Sequence, residues 1–255
     1  MTAQTVANKQ TKIINLGLVL YFIGIFFGAA VAFLAIWGDL EASLFDALFK
    51  AEQRLPSLSC PVLITADEEV TIQASFTNRG DRDENLAVRA RISQGFASLI
   101  REERVEFTLL PGDSETAEWQ VSADDAAWDR VVMARVSTVR NAPYRRLVGS
   151  SCGILLLPFD VGGLSGGHIV TAMLIIGLVL TLLGGFLWQN GRSRPFPLHV
   201  QKVWRLILAF AGLVGTAVIA SLMQLWLLGG VLLIILFLLL ISATDSFSGS
   251  AVDSN

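Results

Sequence analysis

The sequence predicts an α+β membrane protein: four transmembrane helices, with an extracytoplasmic β-sandwich inserted between helices 1 and 2. Three observations lead there. Residues 13–37, 169–188 and 206–243 contain no Asp, Glu, Lys or Arg. Nearly all charge falls between residues 39 and 160, with 13 Lys or Arg against 20 Asp or Glu. Within that segment, short alternating runs are separated by turn residues. The whole chain is 53% hydrophobic and 16% charged, too apolar for a soluble domain, in which about a quarter of residues are charged.

After a cytoplasmic N-terminus (1–12), the first apolar run, 13–37, is long enough as a helix, about 37 Å, to span the hydrocarbon core. Ala30-Val31-Ala32 resembles a signal-peptide cleavage site, but the run continues past it to Trp37, which favours a retained helix. Residues 38–59 form an extracytoplasmic segment in which Leu40, Leu44, Phe45, Leu48 and Phe49 recur at helical spacing. They predict a short amphipathic helix that rests on lipid, on the sandwich or on another subunit. The β-sandwich follows at 60–157, and a Gly-rich linker at 158–167 reads as a flexible joint. Helix 2 covers 168–188 and is followed by a basic loop, 189–205, carrying Arg192, Arg194, His199, Lys202 and Arg205. With Lys9 and Lys12 before helix 1, this loop places both termini in the cytoplasm of a plasma or inner membrane and the sandwich outside. The apolar run of 206–243 would be about 57 Å long as one helix, so it folds back into helix 3 (206–225) and helix 4 (228–243), with a turn around Gln224, Trp226 and Gly229-Gly230. The Ser- and Asp-containing tail, 244–255, is expected to be disordered and cytoplasmic. Trp37, Trp188, Trp204 and Trp226 fall at predicted helix ends, where their rings serve as interfacial anchors.

Seven strands are predicted in the sandwich, over 62–65, 70–76, 86–92, 105–109, 116–121, 131–136 and 147–156. In the second, Val70, Ile72, Ala74 and Phe76 alternate with Thr71, Gln73 and Ser75, giving one buried and one wet face. Asn78-Arg79-Gly80-Asp81, Pro111-Gly112-Asp113 and Asn141-Ala142-Pro143 supply the turns. The run from Glu69 to Asp81, with Pro111-Gly112-Asp113 and Trp119-Gln120-Val121, resembles immunoglobulin-like modules of the CARDB kind found on bacterial and archaeal surface proteins. The resemblance covers about residues 60–156 and implies a sandwich with no activity of its own. Claudin-like proteins share the order of helix, β-rich segment and three helices, but their paired-cysteine signature is missing here. Cys60 and Cys152 are the only cysteines. They bracket the strands rather than forming a C-x-x-C pair, so a structural disulfide in an oxidising compartment is expected.

Chemistry is sparse. The moderately acidic exterior gives no basis for nucleic-acid binding. His168 and His199 are the only histidines and lie on opposite sides of the membrane in this topology, which argues against a metal or haem site; no cofactor is expected. Ser165, His168 and Asp160 are close only within the glycine-rich joint, which offers a catalytic triad no rigid support. The Arg79-Gly80-Asp81 tripeptide fits an ordinary turn, and Arg140, Tyr144, Arg145 and Arg146 form a candidate exterior contact patch. The helices offer small-residue faces instead: Gly24 and Gly28 in helix 1, Gly177, Thr181 and Gly185 in helix 2, and Gly212 and Thr216 in helix 3. These features favour a non-enzymatic accessory or scaffolding subunit, its helices in the lipid bilayer packed against other integral membrane subunits or copies of itself. The rival readings are a surface receptor or sensor for an exterior ligand or polymer, and a self-associating channel or transporter component.

Overall fold

The computed structural model describes residues 3–45, 53–55, 57–138, 148–159, 162–191 and 198–252. They form two compact units: a helical one, residues 1–36 and 171–255, and a β-rich one, residues 37–170.

Among the described residues there are four helices: α1 (Ala3–Leu44), α2 (Gly166–Asn190), α3 (Leu198–Leu222) and α4 (Trp226–Val252). Three are long and apolar enough to cross a membrane, through Gln10–Leu44, Gly166–Asn190 and Val203–Leu222, while α4 contributes a shorter apolar stretch, Trp226–Ser242. These helices mark the chain as a membrane protein. Large side chains such as Phe26, Leu178, Leu182, Ile234 and Phe237 are exposed, a placement that water disfavours and hydrocarbon does not. In the helical unit's core, Tyr21 and Ile25 of α1 meet Trp188 of α2 and Ile207, Phe210 and Val214 of α3. The Tyr21 hydroxyl donates to the Ile207 carbonyl at 2.5 Å.

The turn between α3 and α4 lies earlier than the glycine pair suggests. Gln224 adopts φ 56°, the Leu225 amide donates to the Ala220 carbonyl at 2.8 Å and the Gln224 amide to the Ser221 carbonyl at 2.9 Å. This is the Schellman pattern, which satisfies carbonyls left open at the end of α3, with glutamine where glycine is usual. Gly229 and Gly230 instead sit inside α4. A Cβ at Gly229 would meet the Ile36 side chain at 2.9 Å, so Gly229 permits close packing rather than a turn. The tail reading also changes, since α4 runs on to Val252. A helix nucleated by an apolar run extends cheaply into polar residues, at one hydrogen bond per residue fixed.

Among the described residues, the β-rich unit holds nine strands in two sheets around one core. Sheet A has the order β1 (Gln53–Arg54), β9 (Val148–Leu157), β8 (Val131–Thr138), β5 (Glu84–Gln94), β6 (Phe96–Leu109), with β3 (Leu63–Thr65) also paired to β9. Sheet B has the order β2 (Leu58–Ser59), β4 (Val70–Thr77), β7 (Ser114–Val121). All seven strands expected from the sequence are present. The two-residue strands β1 and β2, too short for a periodic signal, are additional. Ile72, Ala74, Phe76, Trp119 and Val121 from sheet B face Val88, Ala90, Ile92, Val132, Ala134 and Ile154 from sheet A. The outer face of sheet B is a polar ladder in which Thr71 pairs with Gln120, Gln73 with Glu118, Ser75 with Thr116 and Thr77 with Ser114, all within 3.1 Å. The strand β8, by contrast, is buried on both faces.

The second covering layer on sheet A is the end of α1. The predicted break after Trp37 is absent, and the helix continues through Leu44. Ala42 and Phe45 pack on Ala127, Val131 and Met133, and the Arg135 guanidinium donates to the Phe45 carbonyl at 2.9 Å, a cationic cap where the helix needs one. Gly38 lies flat on β9: a Cβ there would come within 2.7 Å of the Gly153 carbonyl oxygen. Of the amphipathic segment, Leu48 and Phe49 lie outside the described residues, while Leu44 is exposed and Phe45 buried.

Candidate functional site

Two features gather the residues singled out in the sequence: the joint where the chain passes between sandwich and helix, and the small-residue faces of the helices.

At the joint, Cys60 follows β2 of sheet B just before the chain crosses to β3 of sheet A, and it is bonded to Cys152 in the middle of β9, with a Cα–Cα distance of 6.5 Å. The bridge therefore fastens the crossing to sheet A. The expected flexible linker is held as well. Gly166 begins α2, and a Cβ on it would lie 2.8 Å from the Ile64 Cα of β3. Its amide donates to Glu68 Oε2 at 2.7 Å, and the same oxygen accepts from the Thr65 amide at 3.1 Å and the Thr65 hydroxyl at 3.3 Å. A carboxylate at a helix N-terminus satisfies an open amide and complements the helix dipole. Glu68→Ala is expected to cost about 1.5 kcal/mol and to speed hydrogen exchange at the Gly166 amide by about tenfold. An unchanged rate would show that the clamp holds nothing.

Ser165 and His168 do meet, with Oγ and Nδ1 2.7 Å apart, and Ser165 Oγ also accepts from the His168 amide at 3.2 Å. That second bond is the ordinary geometry of a serine N-cap. Asp160, the third member considered, lies outside the described residues, as do Arg140, Tyr144, Arg145 and Arg146. Arg79, Gly80 and Asp81 follow an Asx turn: Asn78 Oδ1 accepts from the Gly80 amide at 2.9 Å, and Nδ2 donates to the Arg82 and Leu109 carbonyls. Among the described residues, no three His, Cys, Asp or Glu side chains are placed to hold a metal ion.

On the helices, α1 and α2 pack along a glycine seam. A Cβ on Gly24 would lie 2.6 Å from the Gly177 carbonyl oxygen and 2.5 Å from the Thr181 nitrogen. One on Gly17 would lie 2.7 Å from the Trp188 nitrogen, and one on Gly184 would lie 2.6 Å from the Gly17 carbonyl oxygen. Gly28 faces α3 instead, where a Cβ would come within 2.8 Å of Val214 Cγ1. Thr181 Oγ1 donates to the Gly177 carbonyl at 2.7 Å, which removes its polar demand. The sequence reading paired Gly177 with Gly185; the seam uses Gly184, and nothing lies within 4 Å of a Cβ on Gly185. The missed signal is the matched seven-residue spacing of Gly17 with Gly24 and of Gly177 with Gly184, which lets two antiparallel helices meet twice. On α3, Gly212 and Gly215 have open space where a Cβ would stand, and Thr216 is exposed, its hydroxyl turned back to the Gly212 carbonyl at 2.8 Å. Of the small-residue faces, Gly185, Gly212 and Thr216 therefore make no close helix contact among the described residues.

The tryptophans divide. Trp37 is 46% exposed, but Trp188 is buried and stacks on Trp204, with ring centroids 5.7 Å apart and planes 10° off parallel. The seam explains the difference: Trp188 packs against α1 at Gly17, where no side chain holds the helices apart. Trp226 opens α4.

No protein-family model matches the chain, and no curated protein matches it. Among solved structures, a Bacteroides uniformis β-glucuronidase aligns with a TM-score of 0.29 and 10% identity, over 35% of this chain and 12% of that one. A β-glucosidase from Erythrobacter marinus aligns at 0.27 and 17% identity, over 37% and 14%. The periplasmic chaperone SfaE aligns at 0.27 and 13% identity, over 43% and 57%. The chain thus spans about an eighth of the glycosidases and just over half of the chaperone. Likenesses of this size carry neither a fold family nor an activity to it.

Proposed function

We propose that the chain is a non-catalytic accessory or scaffolding subunit of a larger membrane assembly, with its helices packed laterally on partner subunits and its sandwich making protein contacts outside. One observation carries the reading. The chain closes one small-residue seam on itself, at Gly17, Gly24, Gly177 and Gly184, yet leaves Gly212, Gly215 and Thr216 open on α3. Small residues with satisfied hydroxyls let another helix approach closely in lipid, where packing rather than hydrophobicity drives association.

The sandwich is read as immunoglobulin-like, supported by its two unequal sheets and by the parallel pairing of β3 with β9. In the proposed topology all four helices span, with the termini cytoplasmic and the sandwich outside. Lys9 and Lys12, ahead of the apolar run of α1, and Arg192 and Arg194 between α2 and α3 support that orientation, and the Cys60–Cys152 bridge fits an oxidising exterior. Protease added to intact cells should cut at Arg79 or Arg82, exposed in the turn after β4; cleavage only in inverted vesicles would reverse the topology.

In mild detergent the native particle should exceed the 27.6 kDa of one chain. Gly212→Leu should release the partner while leaving the bundle's unfolding midpoint unchanged, because the new side chain enters open space. A parent particle of a single chain would overturn the proposal.

A further inference from the structure

The strand register brings four connections to one end of the sandwich. Thr65 pairs with Leu157, Val70 with Val121, Gln94 with Phe96 and Val131 with Leu155. Residues 66–69, 95, 122–130, 158–159 and 162–165 therefore share that end. It carries five exposed large apolar side chains: Phe96 at 58%, Leu99 at 54%, Trp128 at 55%, Phe159 at 58% and Leu164 at 49%. Among the described residues, the opposite end exposes only Leu110. Two of the five are put forward by irregular backbone. Between Ser93–Ile100 and Gln94–Phe96 the β5–β6 register shifts, so residues 97–99 bulge out of the ladder. Trp128 and Asp129 both have φ 53° in the turn closed by the Arg130 amide on the Ala127 carbonyl at 3.1 Å. That conformation favours Asn-Gly, and holding a tryptophan there costs about 1 kcal/mol or more. Burial within the unit does not compensate, since the ring is exposed. The Trp128 amide donates to the Gly95 carbonyl at 3.0 Å, which ties this turn to the β5–β6 hairpin tip.

We propose that this end of the sandwich docks on the bilayer surface, with Trp128 and Phe96 seated at the headgroup level. The occupant follows from chain continuity. Leu164 is two residues from Gly166, where a helix long enough to cross a membrane begins, and Glu68 in the same set of loops holds the first amide of that helix at 2.7 Å. Where α2 enters lipid, these loops are within a few residues of the interface, and tryptophan is the residue that prefers it. Asp67, Asp124 and Asp129 outnumber Arg130 among the exposed charges of these loops, so the contact is apolar and needs no anionic lipid. This proposal goes beyond the accessory-subunit reading and requires only that α2 enters a membrane.

The test uses the full chain in phosphatidylcholine proteoliposomes. With both native cysteines bonded, a fluorophore can be placed by thiol chemistry at Leu99→Cys, and at Asp113→Cys on the opposite end as reference. Lipids brominated near the headgroup should quench the Leu99 site about twofold and leave the Asp113 site unchanged. Adding phosphatidylglycerol should strengthen quenching at neither site, and Trp128→Ser with Phe96→Ser should abolish the quenching while the circular dichroism spectrum is retained. An unquenched Leu99 site, equal quenching at both sites, or quenching that needs phosphatidylglycerol or native membranes would overturn the proposal.

Discussion

Replacing Gly184 with leucine will separate α1 from α2 and cost the helical unit about 3 kcal/mol or more, while the same change at Gly185 will shift stability by less than about 0.5 kcal/mol. The contrast rests on what a side chain meets. At Gly184 the nearest atoms are backbone, the Tyr21 nitrogen and Cα and the Gly17 carbonyl oxygen. None of these can swing aside as a side chain could, so the two helices must move apart as rigid bodies. Separation would also loosen Tyr21 and Trp188, the most deeply buried large residues of that core. Thermal unfolding in detergent, followed by the fluorescence of the stacked Trp188 and Trp204, reads both effects. Equal loss at positions 184 and 185 would mean that the seam is not where the helices meet.

Breaking the bond between Cys60 and Cys152, by reductant or by changing both to alanine, will lower the sandwich's stability by between about 4 and 5 kcal/mol in the chain-entropy account of a loop this long. The sequence separation is 92 residues, so the open chain gains much of the freedom of the whole domain. For a domain near 100 residues this is a fall of about 20 °C in unfolding midpoint. The alanine pair is the stricter test, because Cys152 is buried in the sheet A core and Cys60 packs against it, where two methyl groups leave no unsatisfied polar atom. A midpoint unmoved by both treatments would show that the packing of β3 and β9 already suffices.

How much could be read in advance depended on whether the deciding contact was local. The strands β4 and β7 follow from period-two alternation, since Ile72, Ala74, Phe76, Ala117, Trp119 and Val121 each face inward on their own pattern. The bundle followed from charge-free runs. Beyond Trp37, by contrast, Asp39 and Glu41 interrupt the apolar pattern, and only a distant surface, Gly153 and Arg135, explains why α1 continues. Gly184 and Gly185 are neighbours that differ by about 100° around the helix, so the choice between them lies with the facing helix and not with either residue. Gln224 took the left-handed position that Gly229 and Gly230 advertised, because the hydrogen bonds to Ala220 and Ser221 close there. The contact surface at Trp128 had no sequence signal, being the joint product of a positive φ and a neighbouring bulge.

The partners of β9 also set a schedule for biosynthesis. β1, β3 and β8 all pair with it, Cys60 bonds to it, and the Gly153 amide donates to Asp39. Yet it is the last strand to leave the ribosome. Until roughly residue 157 has emerged, β1 and β3 lack their partner in sheet A and the ladder of β6, β5 and β8 ends in an open edge at β8, and the separations of β1 and β3 from β9 in sequence make closure slow. A nascent chain stalled short of β9 presents those edges to any chaperone or protease within reach.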